Sequence, residues 1–216
     1  MSKKLKNPIK YKISLDQGQR EVKEAIHNNQ IVVVIGQAGS GKSAVCALTS
    51  LDLMFKKEVD EIIIIRPAIE VGKTLGYLKG DLKEKLDPYI EAFTANLYKS
   101  YDRLKIDKHI SDGQITSIPV QFIRGKTVEN NQIMIIEEAQ NLTKHEMLAI
   151  LTRIGKGGRI VVSGDNQQSD IRDKFTGLHY AIELSKNIDE IKMFKLESNH
   201  RSELVGKILD YEDEKF

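Results

Sequence analysis

With 216 residues, 40% of them hydrophobic and 30% charged, the chain has the size and composition of one large globular α/β domain. Its formal net charge of +2 gives no overall basic field that would require a nucleic-acid partner. The single cysteine, Cys46, excludes an internal disulfide, and the five histidines show no spacing typical of zinc ligands. No apolar run is long enough to cross a membrane and no signal peptide is visible, so we expect a cytoplasmic protein that does not contact membranes.

The N-terminus is strongly basic, since residues 1–12 contain five lysines and no acidic residue. We expect these residues to form a mobile arm, with contact to phosphates or to an acidic neighbour as the alternative interpretation. Residues 13–216 are expected to form the domain, with an irregular helical insertion at about residues 68–113.

The first predicted element is a helix over residues 20–27, in which Val22 and Ile26 share one face. Gln19 comes directly before it. Because the amide of a glutamine matches the donor and acceptor edge of adenine, Gln19 is a candidate reader of a nucleotide base. A surface glutamine at a helix start is the alternative.

A glycine-rich loop follows the first predicted strand, residues 31–35, and precedes a predicted helix over residues 44–55. The loop fits the pattern G-x-x-x-x-G-K-[ST] without a mismatch. Its residues are Gly36, Gln37, Ala38, Gly39, Ser40, Gly41, Lys42 and Ser43. Backbone N–H groups and the helix N-terminus would surround phosphates, Lys42 would contact the β- and γ-phosphates, and Ser43 would offer its hydroxyl to Mg²⁺. Strand, loop and helix together predict nucleotide binding; a glycine-rich turn before a core helix is the alternative.

A second apolar run, residues 62–65, is predicted to be a buried strand of a parallel sheet. Pro67 ends the strand, so Arg66 lies at its carboxyl end, where ligands bind in open α/β sheets. In the following insertion we expect helices over about residues 81–89 and 93–104. Its aromatic residues lie among lysines and are candidates for stacking on bases, but packing in the core or an interface is favoured. These residues are Tyr77, Tyr89, Phe93, Tyr98 and Tyr101.

A short third strand is predicted over residues 119–123. It leads to a basic turn, in which Arg124 and Lys126 are candidate contacts for phosphate. Together with Arg66, these residues form the set of cations that we expect to contact nucleic acid.

Two carboxylates follow the predicted fourth strand, residues 132–136. An apolar strand that ends in Glu137 and Glu138 is similar to the second nucleotide motif of P-loop ATPases. Glu137 would orient Mg²⁺ through its water shell, and Glu138 would polarise the attacking water. Solvated charges at the end of a strand are the alternative.

The last third of the chain repeats the pattern of strands and helices. A capping box at residues 143–146 opens a helix, and a fifth strand over 159–163 leads to a polar loop in which Gln168 is the predicted sensor of the γ-phosphate. A turn initiated by Asp165 is the alternative. A helix over 178–185 and a half-exposed strand over 191–196 follow.

Arg201 precedes the last predicted helix, which Ser202 would cap. An arginine on an exposed loop is a candidate finger for the γ-phosphate. A surface arginine in a salt bridge is the alternative.

Taken together, these motifs resemble the PhoH family of P-loop ATPases, and the resemblance extends from about Leu15 to Asp210. The matching segments are GQR at 18–20, the glycine-rich loop, RPAIE at 66–70, LGYLKGD at 75–81, RGKT at 124–127, EAQN at 138–141, LTRIG at 151–155, Gly164-Asp165 with Gln168, and RSELV at 201–205. The resemblance implies a RecA-like fold in which a mostly parallel sheet is covered by helices on both faces. It is related to the first motor domain of superfamily 1 helicases.

The family resemblance also implies ATP hydrolysis with Mg²⁺, association with RNA or single-stranded nucleic acid, and ring-like oligomers, a hexamer among them. Such helicases complete the site with a second motor domain, for which this chain is too short. We therefore expect a neighbouring subunit to supply Arg201 in trans. Family members usually carry Asp where this chain has Glu137, so low activity or an altered metal preference is also expected.

Two other functions remain open at this stage. A P-loop kinase acting on a small molecule would have a basic lid and an acceptor pocket, and it would leave the loop of Gln168 without a role. A nucleotide-gated scaffold without catalysis is compatible with glutamate at position 137.

Overall fold

The centre of the molecule is a sheet of six parallel strands in the order β3-β2-β4-β5-β1-β6. The computed structural model describes residues 14–67, 93–166, 168, 175–198 and 211. The strands are β1 (Ile31–Gly36), β2 (Glu61–Ile65), β3 (Ile115–Ser117), β4 (Gln132–Ile136), β5 (Arg159–Gly164) and β6 (Ile191–Leu196). The α/β fold with a parallel sheet is therefore confirmed.

Helices cover both faces of this sheet. They are α1 (Gln17–Asn28), α2 (Lys42–Phe55), α3 (Arg103–Ser111), α4 (Lys144–Leu151) and α5 (Gly177–Asn187). Side chains of a strand point alternately to opposite faces, so each strand contributes to two cores. Val32 and Val34 belong to the apolar cluster that contains residues of α1 and α2, whereas Val33 and Ile35 belong to the cluster with α4 and α5.

The predicted third strand was placed too late in the chain. Residues Val120–Phe122 form a 3₁₀ turn, and Phe122 is 61% exposed. The strand at the sheet edge is β3, and the last backbone bond to its neighbour runs from Ile118 N to Ile64 O at 2.9 Å. Pro119 has no N–H to continue the ladder, so the strand ends before the apolar residues that suggested it.

The helix predicted over residues 93–104 is in fact two helical segments. Residues 93–98 are helical, and α3 begins anew at Arg103. Asp102 is the N-cap of α3, because its side chain accepts a hydrogen bond from Lys105 N at 3.1 Å. A cap residue inside an apparently continuous pattern therefore starts a new helix.

The aromatic residues of this region pack against the core wherever the structure describes them. Phe93 is fully buried, the Tyr101 ring lies 4.7 Å from the Phe55 ring, and the Tyr98 hydroxyl donates to Asp107 Oδ1 at 2.6 Å. Tyr77 and Tyr89, the basic arm and the last predicted helix lie outside the described residues. None of the described helices is long and apolar enough to span a bilayer.

A buried ion cluster joins α1 to α2. Asp52 is 8% exposed, and its Oδ2 lies 2.9 Å from Lys23 Nζ, 3.2 Å from Lys56 Nζ and 3.5 Å from His27 Nε2. Burial by itself would raise the pKa of Asp52, but hydrogen bonds from His27, Lys23 and Lys56 outweigh it and hold that pKa well below its ordinary value. The charge of Asp52 therefore stabilises the packing of the two helices.

We expect Asp52→Asn to lower the free energy of unfolding by about 1–3 kcal/mol at pH 7, because three donors lose a charged acceptor. Since the pKa of Asp52 is lower in the folded state, its contribution is complete above about pH 4 and declines as the pH falls further. The difference between wild type and variant should therefore stay constant from pH 7 to about pH 5 and shrink below about pH 4, as measured by urea denaturation. The exposed Asp189→Asn is the matched control, and an unchanged midpoint for Asp52→Asn at pH 7 would contradict the assignment.

Candidate nucleotide site

The glycine-rich loop connects the carboxyl end of β1 to the start of α2. Gly39 and Gly41 have φ angles of 93° and 85°, a left-handed conformation that strongly favours glycine. Gly41 is also the N-cap of α2, and Ser40 N donates to Gln37 O at 3.1 Å. These turns direct the N-terminus of α2 toward the sheet edge where the strands end, which is the geometry of a phosphate-binding loop.

Lys42 lies across the mouth of this loop. Its Nζ donates to Gly36 O at 2.6 Å and to Gln37 O at 3.0 Å. Burial lowers the pKa of Lys42, while the charges of Asp165 and Glu138 act in the opposite direction. The ammonium group is therefore held beside the loop by carbonyl oxygens, which phosphate oxygens can replace.

Ser43 and Glu137 meet between the loop and the end of β4. The backbone N–H of Glu137 donates to Ile65 O at 2.9 Å, which fixes it at the carboxyl end of the strand. Burial raises the pKa of the Glu137 carboxyl, which is 5% exposed, whereas a hydrogen bond from the Ser43 hydroxyl and the charge of Arg66 lower it. Glu137 Oε1 is buried and has no hydrogen-bond partner among the described residues. A serine hydroxyl beside an unsatisfied carboxylate oxygen fits Mg²⁺ with its water shell.

Glu138 turns the chain away from the sheet. It has a φ of 51°, which is unusual for a residue other than glycine, and it precedes the 3₁₀ turn Ala139–Asn141. Its Oε2 accepts from Gln140 Nε2 at 2.7 Å, and its Oε1 lies 3.9 Å from Arg66 Nη2. The carboxylate is partly exposed at the carboxyl edge and is oriented from two sides.

Gln140 is a site residue whose contacts the sequence did not predict. It is buried, and its Oε1 accepts from the backbone N–H of Asp165 at 3.0 Å. One amide thus joins Glu138 to the loop after β5. Gly164 leaves the necessary space, because a Cβ there would lie 2.8 Å from Gln140 Oε1. Only the position of Gln140 in the segment EAQN drew attention to it.

Gln19 lies behind the phosphate loop at the start of α1. Its Oε1 accepts from Asp16 N at 3.2 Å as part of a capping box, and its Nε2 donates to Ser40 O at 3.3 Å.

Gln168 lies in the loop after β5 with an exposed side chain. Arg201 lies outside the described residues.

The three predicted contacts for nucleic acid are not brought together. Arg66 lies beside Glu138, and Arg124 Nη2 donates to His145 Nε2 at 3.2 Å. Lys126 Nζ instead pairs with Glu61 Oε1 at 3.1 Å. Because Glu61 begins β2, this pair lies toward the amino edge of the sheet, opposite the phosphate loop.

A cavity of about 270 Å³ adjoins the first half of the loop. It is lined by residues 36–38 and Ser40 on one side, and by Asn166 and residues 195–198 at the end of β6 on the other. The space therefore continues from the phosphate loop toward the edge strand.

Known proteins are similar to this chain in sequence or in fold. A family profile described as PhoH-like protein matches residues 13–212. The chain is 38% identical over 195 residues to a PhoH-like protein of Mycobacterium tuberculosis (strain ATCC 25618 / H37Rv), covering 89% of this chain and 55% of the relative. It is 36% identical over 199 residues to a PhoH-like protein of Bacillus subtilis (strain 168), covering 91% of this chain and 62% of the relative. The chain thus spans little more than half the length of these relatives.

The structure is also similar to that of the UvsW helicase from bacteriophage T4. The TM-score is 0.55 at 14% sequence identity, and the match covers 88% of this chain and 64% of that chain. At this identity the likeness shows the fold alone, which is that of RecA-like helicase and ATPase domains.

We expect Lys42→Ala to weaken the binding of a fluorescent ATP analogue about 10- to 150-fold, because a charged hydrogen bond to phosphate contributes about 1.5–3 kcal/mol. The matched control is Lys192→Ala, which removes an exposed lysine on β6. Circular dichroism would verify that both variants fold. Wild-type affinity in Lys42→Ala would show that the triphosphate binds elsewhere.

Proposed function

Because the chain belongs to the PhoH-like protein family, we propose that it binds and hydrolyses ATP and uses the hydrolysis to act on RNA or other single-stranded nucleic acid. The observation that carries the proposal is the contact of Ser43 with Glu137 beside the phosphate loop. It joins the two nucleotide motifs, which lie far apart in the sequence, at one edge of the sheet. A cytoplasmic location is part of the same proposal.

Each side chain at this edge has a distinct task in the proposed reaction. Lys42 neutralises charge on the β- and γ-phosphates, and Ser43 and Glu137 hold Mg²⁺, which when bound withdraws charge from the phosphate oxygens. Glu138 accepts a hydrogen bond from the attacking water and orients it toward the γ-phosphate. Gln168 senses the γ-phosphate from the loop after β5.

The adenine base is proposed to lie beside Gln19, at the side of the loop where α1 begins. The contact of Gln19 Nε2 with Ser40 O supports this placement, because it joins the predicted base reader to the phosphate loop. The adjoining cavity of about 270 Å³ offers room for the part of the nucleotide beyond the phosphates.

The active form is proposed to be a ring-like homo-oligomer, such as a hexamer, in which Arg201 of one subunit contacts the γ-phosphate held by the next. An arginine supplied in trans accelerates phosphoryl transfer in related site types by stabilising charge in the transition state. Sedimentation tests the proposed oligomer, because a monomer that hydrolyses ATP at the full rate would contradict the need for Arg201 from a second subunit.

The proposal is tested by ATPase rates of the full chain with single-stranded RNA, with single-stranded DNA and without nucleic acid, with oligomer mass measured in the same buffer. We expect turnover that single-stranded RNA increases, and no turnover above background in Lys42→Ala.

Other outcomes would point to the alternative functions. Turnover that requires a small-molecule acceptor would indicate a P-loop kinase. Nucleotide binding without turnover would indicate a gated scaffold, with which the glutamate at position 137 is compatible. Full activity in Lys42→Ala would place the reaction at another site.

We expect Gln140→Met to lower kcat for ATP about 10-fold or more and to leave KM within about twofold, because Glu138 loses the amide that orients it. Glu138→Gln sets the lowest kcat expected from the loss of this group, since removal of a general base reduces rates by about 10²- to 10⁴-fold. Steady-state kinetics measures both variants. Unchanged kcat in Gln140→Met would show that the amide does not position Glu138.

A further inference from the structure

Helices α4 and α5 begin side by side, close to the nucleotide site. Thr143 and Thr176, their N-cap residues, form an isolated antiparallel bridge, and Gly177 N donates to Leu142 O at 2.6 Å. Because residues next to a bridge are also neighbours across it, Lys144 and Phe175 are brought together on the surface.

These helix starts carry a cluster of aromatic and basic side chains, defined here as Lys144, Phe175, His179 and Tyr180. Lys144 Nζ lies 5.3 Å from the centre of the Tyr180 ring and 6.0 Å from the centre of the Phe175 ring. The rings of Phe175 and His179 are stacked, with centres 6.0 Å apart and planes inclined by 29°. Phe175 is 44% exposed, so one part of its surface is open to a ligand.

A second cation contacts the first turn of α4. His145 follows Lys144, and Arg124 donates its hydrogen bond to His145. In the described part of the chain neither Lys144 nor Arg124 forms an ion pair with a carboxylate, whereas Lys126, Arg159 and Lys195 each do. The two positive charges are therefore available to an anionic partner.

We infer that this cluster, together with Arg124, binds single-stranded nucleic acid, with Phe175 stacked on a base and Lys144 and Arg124 in contact with phosphates. Exposed aromatic rings beside basic side chains are the usual means of binding unpaired bases without reading their sequence. The inference rests on the proposed function and names a surface for its substrate. A second copy of the chain fits the surface less well, because unpaired cations would have to be buried in the contact.

The position of the cluster connects it to hydrolysis. Leu142, which accepts the bond from Gly177, directly follows the 3₁₀ turn that contains Gln140. Gln140 in turn holds Glu138. A strand bound across the starts of α4 and α5 therefore restrains the connection that positions Glu138, and this predicts that nucleic acid increases the rate of ATP hydrolysis.

The test is the binding of fluorescein-labelled oligo(U) or oligo(dT) of about 20 nucleotides, longer than the site of a single small domain, to the full chain. Anisotropy is measured with a non-hydrolysable ATP analogue present. Phe175→Leu is expected to weaken binding about 5- to 100-fold through the loss of one stacked base, and Phe175→Trp to retain affinity within about twofold. Lys144→Gln is expected to reduce the slope of log K against log salt by about 0.7, as one phosphate contact is lost.

Lys192→Gln on β6 is the matched control and should change neither affinity nor slope. Wild-type affinity in both Phe175→Leu and Lys144→Gln would overturn the inference. It would also be overturned by variants that change the oligomer mass and leave affinity for the oligonucleotide intact, since the surface would then be a contact between copies.

The ATPase rate without nucleic acid separates the two proposals. If the wild-type chain hydrolyses ATP but Phe175→Leu and Lys144→Gln bind the oligonucleotide as tightly as the wild type, only the surface is refuted. Binding that depends on both residues, in a chain that hydrolyses no ATP, supports the surface and refutes the proposed reaction.

Discussion

A buried carboxylate is the constraint on which the nucleotide site depends. Removing an ionised carboxyl group from water costs several kcal/mol unless nearby groups compensate. Glu137 is almost fully buried, and Ser43 on one side and Arg66 on the other offset only part of this cost, so burial still raises its pKa. The sheet order places β2 directly beside β4 and places β1 on the other side of it, beyond β5, so Arg66 after β2 and Ser43 after β1 both reach this carboxylate. Without the parallel sheet, these residues would have no common edge to meet at.

The second carboxylate shows how neighbouring loops share one hydrogen-bond network. Glu138 accepts from Gln140, and Gln140 accepts from the backbone of Asp165, so the ends of β4 and β5 cannot move independently. A shift of the loop of Asp165 therefore also changes the orientation of Glu138. In the proposed reaction, this network would orient Glu138 before the attack begins, which costs less free energy than reorienting it during the attack.

Continuous apolar strands and the phosphate loop could be predicted from the sequence because their signals are local. The bounds of β4 and β6 agree with their apolar patterns, and the capping box of α4 is formed by the residues that suggested it. The predictions failed where one residue decides the outcome, as at Pro119 and Asp102. Contacts between distant segments could not be predicted either. The ion pair of Lys126 with Glu61, which lies in another strand, is one such contact.

The backbone of Glu138 has a consequence for the balance between stability and activity. A left-handed conformation costs a residue with a side chain about 1–2 kcal/mol relative to glycine. The chain would therefore gain stability from glycine at this position, and it would lose the carboxylate to which the proposed reaction assigns the attacking water. At this residue, selection for stability would favour glycine, whereas selection for the proposed activity would favour glutamate. An engineering effort guided by stability alone would remove the side chain on which the proposed turnover depends.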